Sequence, residues 1–513
     1  NGVYKGALML TEKISIPSLE SRPAWSPLVR ELPADLETPI SVYLKLSGHG
    51  PAFLLESVTG GENLARYSFI GVQPSRAYVI RGRSLEVHSS GAVAIQELQI
   101  QGDPLDGLRA ELSDYPSPGL PGLPRFTGGL VGYLGYETMR FFEPSVALEP
   151  HAELPDGIFL LADTLVAFDH AFGKMLLVAN AFPHEDNRGM ALSEAEMRLD
   201  ELEDRLASPL PSQPETMCSS PVQFRSNLTQ DEFMGQVQQA KEHIARGDIF
   251  QAVLSQRLEG RTSARPFSIY RALRRLNPSP YMFFFDFAGL AGGEPLYLIG
   301  ASPEMHVRLE NRRAMLRPIA GTRPRGTTLE EDSCLERDLL SDPKERAEHI
   351  MLVDLARNDL GQVSDYGSLR IHEQMVVERY SHVMHIVSQV EGQLKPGLDA
   401  FDLLKATFPA GTVTGAPKIR AMQIIHELEG CPRGPYGGIA GYFAANGSMD
   451  TCITLRTLVM QGQTVSIQAG AGIVADSDPE REYRETLNKA RALAAAVELA
   501  EGQPKQAAGD PGG

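Results

Sequence analysis

The segment at 468–489, QAGAGIVADSDPEREYRETLNK, restricts this chain more than any other. A strand at 465–468 is expected to break at Gly470-Ala471-Gly472, where glycine's missing Cβ lets backbone N–H groups come close to a ligand. A helix should follow. Asp478 has the side chain of an N-cap, and Pro479 suits the first helical position. On that helix Glu482 and Glu485 are three apart and Lys489 lies four further on, so all three share one face.

A second copy of this device stands upstream in SDPKERAEHIMLVDLARND. Asp342 is the expected cap, Pro343 opens the helix, and Glu345 completes a capping-box-like start. Glu345 and Glu348 are again three apart. Carboxylate pairs on two facing helices suit a hard cation such as Mg2+, which takes oxygen ligands and completes its shell with water or substrate. Each helix alone also fits a solvated face whose first-turn acids complement the macrodipole. The repetition, with Gly-Ala-Gly before one copy, favours the cation.

Other features narrow the class. A length of 513 residues allows two or three domains with ample core. The net charge of −17 argues against nucleic acid or an anionic membrane as the main partner. Cys218, Cys334, Cys431 and Cys452 have no paired spacing, which points to a reducing, cytoplasmic setting and to structural roles. No apolar run reaches the length of a membrane span, and NGVYKGALML lacks a signal-peptide pattern.

Strand-like segments begin near Ile40 (SVYLKL, PAFLLES, YSFIG, AYVIRG, LEVHS), so 1–206 reads as a sheet-rich N-terminal domain. The Ser/Pro-rich 207–226 reads as a linker, 227–500 as a second domain, and 501–513 as a disordered tail. After the linker, Thr229 and Glu232 form a capping box, and Gly247 ends that helix. Runs of strands with intervening helices indicate an α+β fold. Arg456 sits within the apolar CITLRTL, either paired to a core carboxylate or awaiting an acidic ligand. In RYSHVMHIV, His382 and His385 are three apart and would point to opposite faces of a strand. Thr412 and Thr414 precede a helix near Pro417 and would suit its cap. Gly321-Thr322 reads as a turn with exposed amides.

Together these segments resemble the chorismate-utilising enzymes, and among them the branch that forms anthranilate. The resemblance runs from about 54 to about 494. It rests on LLESVTGGENLARYSFIG, GDIFQAVLSQR, NPSPYMFF, IGASPEM, RPIAGTRPRG, DPKERAEHIMLVDLARNDLG, HVMHIVS, GTVTGAPK, YGGIAGYF, DTCITLRT and QAGAGIVADSDPEREYRETLNKA. It implies two orthogonally packed antiparallel sheets flanked by helices, with 227–500 binding chorismate. It also implies Glu348 and Glu485 as Mg2+ ligands, with Glu345 and Glu482 holding metal-bound waters. Tyr436, Arg456, Gly470, Ala471, Gly472, Lys489, Gly321 and Thr322 would hold the substrate's carboxylates. His385 matches the family's proton-transfer histidine, and Glu304 and Thr412 would lie near the departing ring hydroxyl. The implied reaction takes chorismate and ammonia to anthranilate and pyruvate.

Relatives that make aminodeoxychorismate, salicylate or isochorismate tend to carry Lys where this chain has Ala320. Ala neither attacks nor activates water, so the nucleophile must arrive reactive, as ammonia does. Aminodeoxychorismate formation is the alternative. LLES (with Ser57) and Pro280-Tyr281-Met282 resemble the family's tryptophan feedback site; LLES also fits a plain core strand end. The chain has no Gly-x-Cys-x-Gly nucleophile elbow, so the resemblance implies a separate glutamine amidotransferase subunit as ammonia source. A catalytically dead tryptophan-binding protein would not need Glu345, Glu348, Glu482, Glu485, His385 and Arg456 together. A di-iron enzyme would need Glu-x-x-His on facing helices.

Overall fold

The computed structural model describes residues 26–58, 66–89, 96–100, 102–113, 122–181, 188–212, 222–380 and 383–502. Their strands form two twelve-stranded sheets, and every pairing between named strands is antiparallel. Both sheets join the two halves of the chain. In one, Ala52–Glu56 pairs with Tyr281–Asp286, with Glu56 opposite Met282. In the other, Gly129–Leu134 pairs with Ile439–Ala444, with Gly132 opposite Gly441. The linker therefore divides the sequence without dividing either sheet.

The sheets pack face to face. Phe53, Phe69, Phe283, Phe285 and Leu298 from one meet Val79, Val131, Tyr133, Leu160 and Tyr442 from the other. Helices cover both outer faces, giving four layers. Pro39–Leu46, Pro266–Leu276 and the far end of Pro479–Ala500 cover the first sheet. Pro343–Val363 and Ala400–Thr407 cover the second. This is the expected α+β arrangement of two antiparallel sheets flanked by helices.

Several local readings change. SVYLKL is helical: Thr38 caps Pro39–Leu46 through a capping box, and Val42, Tyr43 and Leu46 form its buried face. The short window hid a helical period behind β-branched residues. Gly470-Ala471-Gly472 does not break the strand, which runs Thr464–Ile473 and pairs with Gln251–Arg261 throughout. Gly321-Thr322 lies inside Ile319–Pro324 at a register shift, and Gly321 (φ +67°) takes the left-handed conformation there. Arg456 lies between strands, after Met449–Ile453 and before Thr457–Gln461, with φ +47°. Thr412 and Thr414 do not cap the next helix. It begins after Pro417 without a side-chain cap, and the Thr414 hydroxyl donates to Ala410 O (2.9 Å). RYSHVMHIV, read as one strand, spans the end of Arg370–Arg379 and the start of its paired neighbour Val383–Gln393. His382, Cys218 and residues 503–513 lie outside the described residues.

Candidate active site

The two Asp-Pro helices begin as read. Asp342 accepts from Lys344 N (2.9 Å) and Glu345 N (3.3 Å), and Asp478 accepts from Arg481 N (2.9 Å). The capping box at Asp342 stays half-formed, because the Glu345 carboxylate accepts from Arg323 instead (3.3 Å). Arg323 also binds Asp338 (2.6 Å) and Asp342 (2.8 Å). It thus ties the Gly321-Thr322 bulge to the start of the Pro343–Val363 helix.

The helix starts face each other electrostatically. Burial raises the Glu348 pKa, and the carboxylates of Glu345 and, across the gap, Glu485 add to the rise. Burial also raises the Glu482 pKa; Ser477 opposes this, and Glu485 and Lys344 act on it with opposite signs. Carboxylates raised by one another and by burial form a site that a cation would relieve. Among the described residues no three His, Cys, Asp or Glu side chains close into a single ligand shell. An oxygen-only donor set on opposed helices fits Mg2+, which fills its remaining positions with water and substrate oxygens.

The strand Thr464–Ile473, packed against the Pro479–Ala500 helix, ends in an open edge. The neighbouring strand Thr457–Gln461 pairs only as far as Ile467. Opposite Gly470 and Gly472, Ser255 N and Val253 N bond away from the ladder, to Glu429 (2.7 Å) and Thr414 O (2.8 Å). In an antiparallel ladder those pairs are the non-hydrogen-bonded ones, so the Gly470 and Gly472 amides point to the open edge and the Ala471 amide pairs within the ladder. Lys489 Nζ occupies part of that edge, donating to Gly470 O (2.9 Å) and pairing with Glu485 (2.8 Å). A Cβ on Gly470 would stand 2.5 Å from the Tyr436 hydroxyl, which fixes that phenol against the strand.

His385 lies in the other sheet, near Arg456. Its Nδ1 donates to Gly321 O (2.8 Å) and lies 3.2 Å from the Thr322 hydroxyl. Since a carbonyl only accepts, the ring's lone pair is at Nε2. Burial holds its pKa below the ordinary value; the Gly321 carbonyl opposes this, and the Arg456 charge adds to it. Arg456 has no ion pair or side-chain hydrogen bond among the described residues, and burial alone lowers its pKa. Among the described residues no core carboxylate partners it. Ala320, next to Gly321, is buried opposite Ile386.

Glu304 and Thr412 line one cavity with Leu352, Leu355 and Ile453. Burial pushes the Glu304 carboxyl up to about 8, with the Thr412 hydroxyl pulling it back. The Thr412 Oγ1 is buried and makes no hydrogen bond. At neutral pH Glu304 is thus an uncharged carboxylic acid, and His385, held separately at Gly321, is a neutral imidazole.

Residues 50–495 match the family described as chorismate binding enzyme. This chain belongs to that family. Chorismate-binding enzymes close to it in sequence include anthranilate synthase component 1 of Pseudomonas putida, 47% identical over 93% of this chain and 96% of the relative. The protein of the same name from Aquifex aeolicus is 48% identical over 93% and 95%. Among solved structures, anthranilate synthase component I from Streptococcus pneumoniae TIGR4 superposes with a TM-score of 0.73. It is 37% identical, with 90% of this chain and 99% of that one covered.

A second cavity, of about 70 Å³, opens between the sheets. Ser57, Pro280, Tyr281 and Met282 all line it, and the Ser57 hydroxyl is buried without a partner. Its polar wall was missed in the sequence: Arg308 binds Asp450 (2.8 Å), and Tyr281 donates to Asp450 (3.0 Å). A charge inside each short apolar strand, HVRLE and MDTCI, was the available signal. Glu56, the acid of LLES, also lines the cavity, but its carboxylate is engaged by Tyr270 (2.5 Å) and Arg274 (3.0 Å). Arg323 was missed too; only its place two residues after Gly321 hinted at it.

Proposed function

We propose that this chain converts chorismate and ammonia to anthranilate and pyruvate, as the large subunit beside a separate glutamine amidotransferase. The observation that carries the reading is the supply of both proton-transfer groups: a buried, protonated Glu304 in the Thr412 cavity, and a neutral His385 fixed by the Gly321 carbonyl. Similarity to proteins named anthranilate synthase component 1 supports it.

Chorismate is a dianion. Arg456, Lys489, the Thr322 hydroxyl, the Tyr436 phenol and the edge amides of Gly470 and Gly472 provide donors for two carboxylates. Glu348 and Glu485, with Glu345 and Glu482 behind them, would hold Mg2+; when bound it neutralises a substrate carboxylate. Ammonia forms the C–N bond at C2 while the double bonds shift and the C4 hydroxyl leaves. Glu304, which shares its cavity with Thr412, gives that hydroxyl its proton, so water departs. His385 Nε2 then takes the C2 proton. The ring becomes aromatic as the C3–O bond breaks, and the released enolpyruvate tautomerises to pyruvate. Ala320 offers no competing nucleophile. The cavity holding Ser57, Pro280, Tyr281 and Met282 is assigned to tryptophan as feedback inhibitor. Its Asp450 and unpartnered Ser57 hydroxyl suit an ammonium and a carboxylate.

The test is anthranilate fluorescence and pyruvate release from the purified chain with chorismate and Mg2+. Equal yields with ammonium, none with glutamine, loss on EDTA and inhibition by tryptophan are expected. Chorismate consumption without pyruvate would replace this reading by aminodeoxychorismate formation.

A further inference from the structure

Beneath the substrate site lies a buried charged cluster that none of the steps above uses. Arg433 and Glu429, four apart at the end of the Lys418–Glu429 helix, have side chains only 1% and 3% exposed. The guanidinium donates to Glu429 through Nε (2.8 Å) and Nη2 (2.6 Å). Its remaining donors reach two backbone carbonyls, Val413 O (2.7 Å) and Val253 O (2.7 Å). The rings of Tyr136 and Tyr436 lie 4.7 and 5.5 Å from the guanidinium carbon. Glu429 also accepts from Ser255 N (2.7 Å) and Ser255 Oγ (2.8 Å). The Arg433 backbone is pinned in turn: its N–H and that of Gly434 donate to the two oxygens of Glu137 (2.6 and 2.9 Å).

Each partner adjoins a different wall of the site. Val413 follows Thr412. Val253 lies opposite Gly472 and Ser255 opposite Gly470. Arg433 itself starts the loop that carries Tyr436. We propose that Arg433 is a positioning residue for chorismate, joining the Thr412 turn, the Gly470–Gly472 edge and the Tyr436 loop through one planar cation. The assignment rests on the chorismate reading above. Only a guanidinium has five donors in a rigid fork, so Lys cannot replace it. A buried ion pair need not be kept for stability, since apolar replacements are often neutral or stabilising.

The test is a double-mutant cycle of Arg433→Lys with Tyr436→Phe, measuring kcat and KM for chorismate beside thermal unfolding. Arg433→Lys is expected to lower kcat/KM about 10²-fold, the scale of an ångström-level misplacement. Tyr436→Phe should then cost much less in the Arg433→Lys background than in the parent, because its phenol is already out of place. A lower melting temperature with unchanged kcat and KM, or strict additivity in the cycle, would overturn the proposal. Should Arg433→Lys fail to fold, Glu429→Gln keeps the shape and weakens the tie, and is read in the same cycle; parental kcat and KM there would also overturn it. If the parent consumed chorismate without making anthranilate, the function reading would fail. The cycle, followed by chorismate consumption, would still decide on Arg433.

Discussion

Glu304 and His385 are both moved by burial toward their uncharged forms, and this gives them opposite uses. A carboxyl at about 8 keeps its proton at neutral pH, whereas a depressed imidazole keeps its lone pair. Glu304→Gln is expected to lower turnover about 10²- to 10⁴-fold, the usual share of a positioned acid. It also has a stability signature. The unfolded carboxyl ionises near 4.5 and the folded one near 8, so parental stability falls as pH rises through that window. The melting temperature of Glu304→Gln relative to the parent should therefore rise between pH 4.5 and 8; a flat difference in calorimetry would contradict the burial argument. His385→Asn should lower kcat with little change in KM, because Asn keeps a donor for Gly321 O but cannot take a proton.

At the scale of elements, the site depends on how strands and helices end. Thr464–Ile473 outruns its neighbour by six residues, from Gln468 to Ile473, and this overhang exposes the amides of Gly470 and Gly472. Gly470 is needed for a steric reason rather than a torsional one: its Cβ would meet the Tyr436 hydroxyl at 2.5 Å. Gly470→Ala should accordingly raise KM for chorismate about tenfold or more, the effect of ~1.4 kcal/mol lost in binding. Wild-type KM would show that Tyr436 shifts without consequence. Asp342 both caps its helix and binds the Arg323 that holds Glu345. Asp342→Ala should cost ~1 kcal/mol in stability and raise the Mg2+ concentration needed for half-maximal activity, read from thermal melts and a Mg2+ titration.

For the whole molecule, the continuity of both sheets across 207–226 has a direct consequence. Without Ala52–Glu56 and Gly129–Leu134, Tyr281–Asp286 and Ile439–Ala444 each lose one of their two partner strands and become raw, apolar sheet edges. Expressed alone the 227–502 half should not fold cooperatively, and co-expression with 26–212 should restore activity; a stable, active 227–502 fragment would refute this. Two strands of the second half lead from the inter-sheet cavity toward the proposed substrate residues. Ile439–Ala444 and Met449–Ile453 line the inter-sheet cavity through Gly441, Tyr442, Asp450 and Cys452. Tyr436 stands three residues before the first strand, and Arg456 three after the second. Ser57→Leu should weaken tryptophan inhibition at least about tenfold, from loss of one hydrogen bond to a charged group. The inhibition constant measures it.

Local signals were legible where the physics is local. Asp342-Pro343, Asp478-Pro479 and the Thr229–Glu232 box fix helix starts through bonds spanning three residues, and the acidic pairs follow from helical spacing. The α+β class followed from the order of the elements. The helix Pro39–Leu46 was hidden by its shortness. The overhang at Gly470, the left-handed Arg456 and the bulge at Gly321 were not legible, because each is set by a partner far along the chain. The charged partners of Arg433, Arg323 and Arg308 belong to the same group. The sequence by itself determined which chemical groups are available and which helix faces carry them. Only the tertiary structure decided which are buried, neutral or unpaired, since desolvation and hydrogen-bond satisfaction depend on neighbours brought together by folding.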